Sequence, residues 1–161
     1  MFNFKAEFYL KIIFLFSFIA LISAFFIEYV LGHQPCNLCL IERIPYGLSI
    51  IIIMMIFLIK KNQKFLVLLL ILTFIFSFAV SFYHYGIEQS FFQESSVCGI
   101  KGLTESITKE DLLKQLSEKT ISCRDVTFKI FGLSLTSINI VISLLFIITL
   151  LKIFKKYEKN K

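Results

Sequence analysis

Four stretches of this chain are apolar for long enough to cross a lipid bilayer, and lysines fence them at their inner ends. They cover residues 12–30, 44–59, 65–83 and 133–151. Wound as helices at about 1.5 Å per residue, the longer ones match the roughly 30 Å of hydrocarbon in a bilayer. The apolar residues come in blocks and follow neither the helical nor the strand period of a half-buried element, so lipid is the expected solvent. The chain is 57% hydrophobic over 161 residues. Soluble domains hold about 45–50% apolar residues and could not hide the excess. The expected fold is therefore an all-α membrane protein, a single four-transmembrane-helix bundle over residues 1–161.

Charge sets its orientation. The net charge is +6, with Lys5, Lys11, Lys60, Lys61, Lys64, Lys152, Lys155, Lys156, Lys159 and Lys161 flanking apolar blocks and only Glu7 and Glu158 against them. Lysines placed this way are topology signals and not a nucleic-acid footprint. They put both termini and the turn at residues 60–64 in the cytoplasm. Two loops, 31–43 and 86–131, then lie on the outer side. A cleaved signal peptide would need small residues near Ala24, but Ile22 precedes it and Phe25 and Phe26 continue the apolar run, so the first block is expected to stay as a helix.

Several single residues qualify this picture. Glu28 reads as a carboxylate at the outer interface. Pro45 fits the first turn of the second helix, or kinks that helix if it starts at Cys36. Asn139, inside the fourth span, is expected to bond a neighbouring helix. His84, alone among aromatic residues at the end of the third span, reads as a capping or interface residue. In the second loop, residues 107–119 read as a short amphipathic helix. Thr108 and Asp111 have capping-box spacing, and Ile107, Leu112, Leu113 and Leu116 form an apolar stripe. That stripe fits packing on the loop or lying on the membrane surface equally well.

All four cysteines fall in the two outer loops. Cys36 and Cys39 form a Cys-x-x-Cys pair against an apolar span, and Cys98 and Cys123 lie far apart in the long polar loop. Disulfides persist outside the reducing cytosol, so this partition suits redox work. Arg43, four residues after Cys39, is a fixed cation that favours thiolate, as does the helix start nearby. A snorkelling interfacial arginine is the alternative, and the adjacent thiols argue against it. A zinc site of four cysteines normally shows two tight pairs, and Cys98 with Cys123 is not one. No metal is expected.

Together these residues resemble the DsbB family of membrane disulfide-bond formation proteins. The matching pieces are Pro35-Cys36-x-x-Cys39-x-x-x-Arg43, a Tyr-x-His-type segment ending at His84, the loop pair Cys98 and Cys123, and Cys123-Arg124 with Phe131-Gly132-Leu133 opening the last span. The resemblance covers nearly the whole chain, although the second loop and the residues just before His84 follow the pattern loosely. It implies a protein-dithiol:quinone oxidoreductase of the bacterial inner membrane. Such an enzyme re-oxidises a soluble DsbA-type thioredoxin-fold oxidase and passes the electrons to ubiquinone or menaquinone. It implies that Cys98 is attacked by the reduced partner, that Cys123 then pairs with Cys36, and that Cys39 is left as thiolate beside the quinone with Arg43. His84 is a further candidate for the quinone site. A DsbA-type oxidant sits at about −120 mV, so its re-oxidation needs an acceptor of higher potential, which a lipid-soluble quinone supplies. Competing readings are a vitamin K epoxide reductase-like enzyme, whose Cys-x-x-Cys lies in a later helix, and a membrane scaffold whose cysteines only form structural bridges.

The charge pattern makes one direct prediction. After reduction, a membrane-impermeant thiol reagent will label the cysteines from the outer side of intact cells. Labelling that requires opening the inner face would reverse the orientation.

Overall fold

A computed structural model of the chain describes residues 4–59, 62–93, 98, 123–124, 129–130 and 133–159. Four helices dominate it: α1 (Phe4–Tyr29), α2 (Asn37–Leu58), α3 (Gln63–Glu88) and α4 (Leu135–Lys159). Each is long and apolar enough to cross a membrane. The strands β1 (Lys129–Ile130) and β2 (Leu133–Ser134) form a small antiparallel hairpin just before α4, with Lys129 opposite Ser134. The short helix expected over 107–119 lies outside the described residues, as do Lys60, Lys61, Phe131 and Gly132.

α3 is the centre of the bundle, packed on both α2 and α4, while α1 packs on α2 and scarcely touches α4. The buried face of α3 runs Leu66, Leu70, Phe74, Ser77, Ser81 and His84, with steps of three or four residues. Its other face exposes Phe65, Leu68, Leu72, Ile75 and Phe76. Both faces are apolar because one meets the core and the other meets lipid, which is why no helical period shows in the sequence.

At the lysine-rich end the core is hydrocarbon: Leu10, Ile13, Ile53, Ile56, Val67, Leu70, Phe74 and Leu150. The Phe74 ring packs edge-on against Phe146 at 5.0 Å, and Phe146 against Phe16 at 5.4 Å. Further along, small polar side chains join the helices. Ser49 donates to Ser17 (2.9 Å), linking α2 to α1, and Ser143 donates to Ser77 (3.1 Å), linking α4 to α3. Asn139 is the hub of this seam. Its Nδ2 donates to Ser81 Oγ (2.7 Å) and Glu42 Oε2 (3.1 Å), and its Oδ1 accepts from the Tyr46 hydroxyl. The polar residue in the fourth span thus bonds neighbouring helices, as expected.

The helices run beyond the apolar blocks. α1 begins at Phe4 and α4 continues to Lys159, and of the two starts left open for α2 the structure takes the earlier, at Asn37, so Pro45 lies inside the helix and the first loop is shorter than 31–43. Cys36 is the N-cap, its Sγ accepting from the Cys39 amide at 3.2 Å. α3 runs on to Glu88, so His84 lies within it and does not cap it. For α2 and α3 the cause is the same. Glu42, Arg43, His84 and Glu88 interrupt the apolar pattern, but their partners lie inside the protein, so the helices need not end where polarity begins. Gly32 ends the α1 turn with φ of 72°, a left-handed conformation that glycine adopts without strain.

The hub predicts a graded loss of stability. Asn139→Leu removes bonds to Tyr46, Glu42 and Ser81 and a longer one to Ser143 and is expected to cost about 2 kcal/mol, whereas Ser143→Ala is expected near the typical ~0.6 kcal/mol of an interhelical hydrogen bond in a membrane. Unfolding in mixed detergent micelles measures both. Equal losses would show that Asn139 is not the hub.

Candidate functional site

The outer ends of α2 and α3 carry the chemistry. Cys36 caps α2 and Cys39 sits in its first turn, and the two form a disulfide. This places both sulfurs at the partial positive charge of a helix N-terminus. Leu38, Ile87, Cys98 and Cys123 bury Cys36, with Ile41, Val80 and Tyr83 around them. Cys98 is 3% exposed and Cys123 is 2% exposed. Cys36, Cys98 and Cys123 therefore share one buried cluster with Cys39 packed against it, so all four cysteines implied in thiol exchange meet although they come from two loops.

His84 projects from α3 into the same place. Its Nε2 lies 3.6 Å from Cys36 Sγ, and its Nδ1 lies 2.8 Å from Glu42 Oε1. A carboxylate can only accept here, so Nδ1 carries the proton and Nε2 faces the sulfur. Thr136, from α4, reaches Nδ1 at 3.3 Å and donates to Glu88 Oε1 at 2.7 Å. With only 3% exposure, His84 is an interior residue and not the interfacial one that its position among aromatics suggested.

Arg43 is one turn further along α2 from Cys39. It forms an ion pair with Glu28 of α1, and its guanidinium lies 5.5 Å from the centroid of the Phe25 ring. Glu28 is thus more than an interfacial carboxylate. It clasps α1 to α2 and shares the charge of Arg43.

These groups surround one end of a cavity of about 290 Å³. Its apolar wall comes from Phe16, Ala20, Leu21 and Ala24 of α1 and from Leu135, Ile138 and Ile142 of α4. Cys36, Cys39, Glu42, Arg43, His84 and Asn139 supply its polar groups, and Cys123 also reaches it. Such a cavity, mostly apolar with a few convergent polar groups, is the usual form of a small-molecule site. Cys36, Cys39, Arg43, His84 and Cys123 are brought together on it. Cys98 lies in the adjoining cluster and is not part of the wall.

The sequence reading missed Glu42, Glu88, Tyr46 and Thr136. Two of them left a trace. Glu42 stands within the Cys-x-x-Cys-x-x-x-Arg motif, and Glu88 stands four residues after His84, on the same helix face.

The fold and site define a class: a four-helix membrane protein with a Cys-x-x-Cys disulfide at the polar end of an interhelical cavity. The family comparison is more specific. The model of the family described as "Disulfide bond formation protein DsbB" matches residues 6–153, and the chain belongs to that family. It is accordingly a multi-pass membrane protein of disulfide-bond formation and an oxidoreductase that acts on disulfides. The chain is also similar to a Rickettsia prowazekii (strain Madrid E) protein described as "Uncharacterized protein RP370". The two are 31% identical over 147 residues, covering 90% of this chain and 86% of that protein.

Because Glu42 is the acceptor for groups on two other helices, its loss should be felt broadly. Glu42→Leu is expected to destabilise the bundle by about 2–3 kcal/mol, the range for hydrogen bonds to a charged group, and Glu42→Gln by less. Micelle unfolding of both variants tests this. A neutral Glu42→Leu would mean that His84 and Asn139 find other acceptors.

Proposed function

We propose that the chain takes two electrons from the dithiol of a soluble DsbA-type thioredoxin-fold oxidase and delivers them to ubiquinone or menaquinone in the bacterial inner membrane. The outer loops then face the periplasm and both termini face the cytoplasm. The single observation that carries this reading is the cavity. Its apolar wall suits a lipid-borne ring, and its polar groups include both sulfurs of the Cys-x-x-Cys pair. A quinone bound there would accept two electrons and two protons. Of the polar side chains on the cavity wall, Arg43 has N–H donors left over from its pairing with Glu28 to hold a quinone oxygen, and His84 could donate only with a proton on Nε2.

The thiol steps follow from chemistry on the chain itself. Cys98 and Cys123 are not joined in this structure; in the oxidised form that the reaction requires they make a disulfide, and a thiolate of the reduced partner attacks it. The S–S bond breaks, a mixed disulfide forms at Cys98, and Cys123 leaves as thiolate. Cys123 attacks Cys36 of the Cys36–Cys39 disulfide, and Cys39 leaves as thiolate. The presence of Cys36 and Cys123 in one cluster supports this transfer. Cys98 is buried, so attack on it requires the partner to displace its cover. The partner's second cysteine then resolves the mixed disulfide and leaves oxidised, Cys98 attacks Cys123 to re-form their disulfide and release Cys36, and the Cys36–Cys39 dithiol would give two electrons and two protons to a bound quinone as its own disulfide closes. For that last step His84 Nε2 is placed to take the proton of the Cys36 thiol, with Glu42 beside the resulting imidazolium. Arg43 favours thiolate at Cys39 one turn away, and Glu28 tempers that effect.

The deciding experiment mixes purified protein, reduced DsbA-type partner and a soluble quinone, and follows quinone absorbance. Turnover is expected. Its absence, with fixed disulfides in cells depleted of quinone, would favour a structural scaffold. Arg43→Gln is expected to raise the quinone concentration for half-maximal rate about tenfold or more, the effect of losing roughly 1.4 kcal/mol of binding. Cys123→Ser is expected to accumulate a covalent partner complex through Cys98 on non-reducing gels. A complex trapped at Cys36 or Cys39 instead would exchange the roles of the two pairs.

A further inference from the structure

We infer that, in the dithiol form of this chain, Cys36, Cys39 and His84 make a binding site for a zinc-like divalent metal ion. The site itself does not depend on the proposed electron transfer. Only its effect on turnover does.

The geometry is specific. Around a tetrahedral zinc ion, with Zn–S of about 2.3 Å and Zn–N of about 2.0–2.1 Å, sulfur and nitrogen stand about 3.6 Å apart. His84 Nε2 and Cys36 Sγ are 3.6 Å apart. The ligand atoms of Cys36, Cys39 and His84 all lie within 4.8 Å of one another. Cys-x-x-Cys is a common zinc chelate, and reduction frees its two sulfurs to move to coordination distance.

His84 is also oriented as a metal ligand would be. Its Nδ1 is held by the Glu42 carboxylate, which leaves the Nε2 lone pair facing the sulfurs. A carboxylate on the far nitrogen is the usual second contact of a metal-binding histidine. Glu88 is a near neighbour of this cluster and not one of its three ligands: its Oε1 lies 4.0 Å from His84 Nε2 and accepts from Thr136.

Charge and redox state decide when the site exists. Two thiols lose two protons on binding, and the two thiolates cancel the charge of the dication, which suits a dry interior. The closed Cys36–Cys39 disulfide offers no thiolate. The ion therefore binds only after two-electron reduction, and it holds the dithiol out of further exchange.

The test uses full-length protein in detergent, reduced anaerobically with a phosphine that is then removed. Zinc is titrated against a chromophoric chelator, and zinc-edge X-ray absorption reads the ligands. Reduced wild-type protein should bind a single ion, with two sulfur and at least one imidazole neighbour, and the disulfide form should bind none. A Cys98→Ser/Cys123→Ser double variant should keep the site. His84→Ala should weaken binding at least tenfold, and His84→Cys should restore it. Loss of zinc in the double variant, a sulfur-only shell, or undiminished affinity in His84→Ala would each overturn the proposal, and the absorption spectrum of the wild type decides even if His84→Ala fails to fold. Protein that turns over quinone yet binds no zinc would sink this inference alone. Protein that binds zinc yet never reduces quinone would sink the electron-transfer reading alone.

Discussion

A carboxylate largely withdrawn from water at the edge of a bilayer must be met by donors from the protein, because leaving it there unpaired costs several kcal/mol. In this chain Glu42 is that carboxylate. One oxygen faces His84 on α3 and the other faces Asn139 on α4, so a single side chain of α2 sets the spacing of three helices. The tautomer of His84 follows from it, and so does the direction in which Nε2 points. Asn139 extends the same network to Ser81 and Tyr46, turning one ionic requirement into a seam along the interior. The sulfur chemistry stands at the outer end of this seam, on side chains that the seam holds in place.

The bundle was legible in the sequence because lipid leaves a coarse signal. Uninterrupted apolar blocks mark spans, and lysines flank their ends. Asn139 was legible for the same reason, since an amide in hydrocarbon needs a partner. The ends of α2 and α3 were not legible. A charged residue looks alike in a string whether it faces water or a buried partner, and here Glu42 and Glu88 face inward. Arg43 was read as a fixed cation near the thiols, but its pairing with Glu28 joins residues from different helices and has no local signature. His84 shows the same limit. Its neighbours in sequence are aromatic, while its neighbours in space are a sulfur and two carboxylates.

The placement of Arg43 changes what its charge can do. As a lone cation it would hold the outer end of the cavity permanently positive. Paired with Glu28 it is close to neutral at a distance, and its field acts mainly on groups that come within a few ångströms. The same pair anchors α1, which has few other attachments on the side of α4. Electrostatics at the site and the seating of the first helix are therefore one interaction seen from two sides.

α1 and α4 both wall the cavity, yet they pack on each other over only a short length, where Phe16 meets Phe146. The cavity, at about 290 Å³, has room for a ring and little else. Under the quinone reading proposed above, recognition would fall on the ring, and the isoprenoid tail would be left to partition into the bilayer, so that tail length would bear on delivery and not on fit.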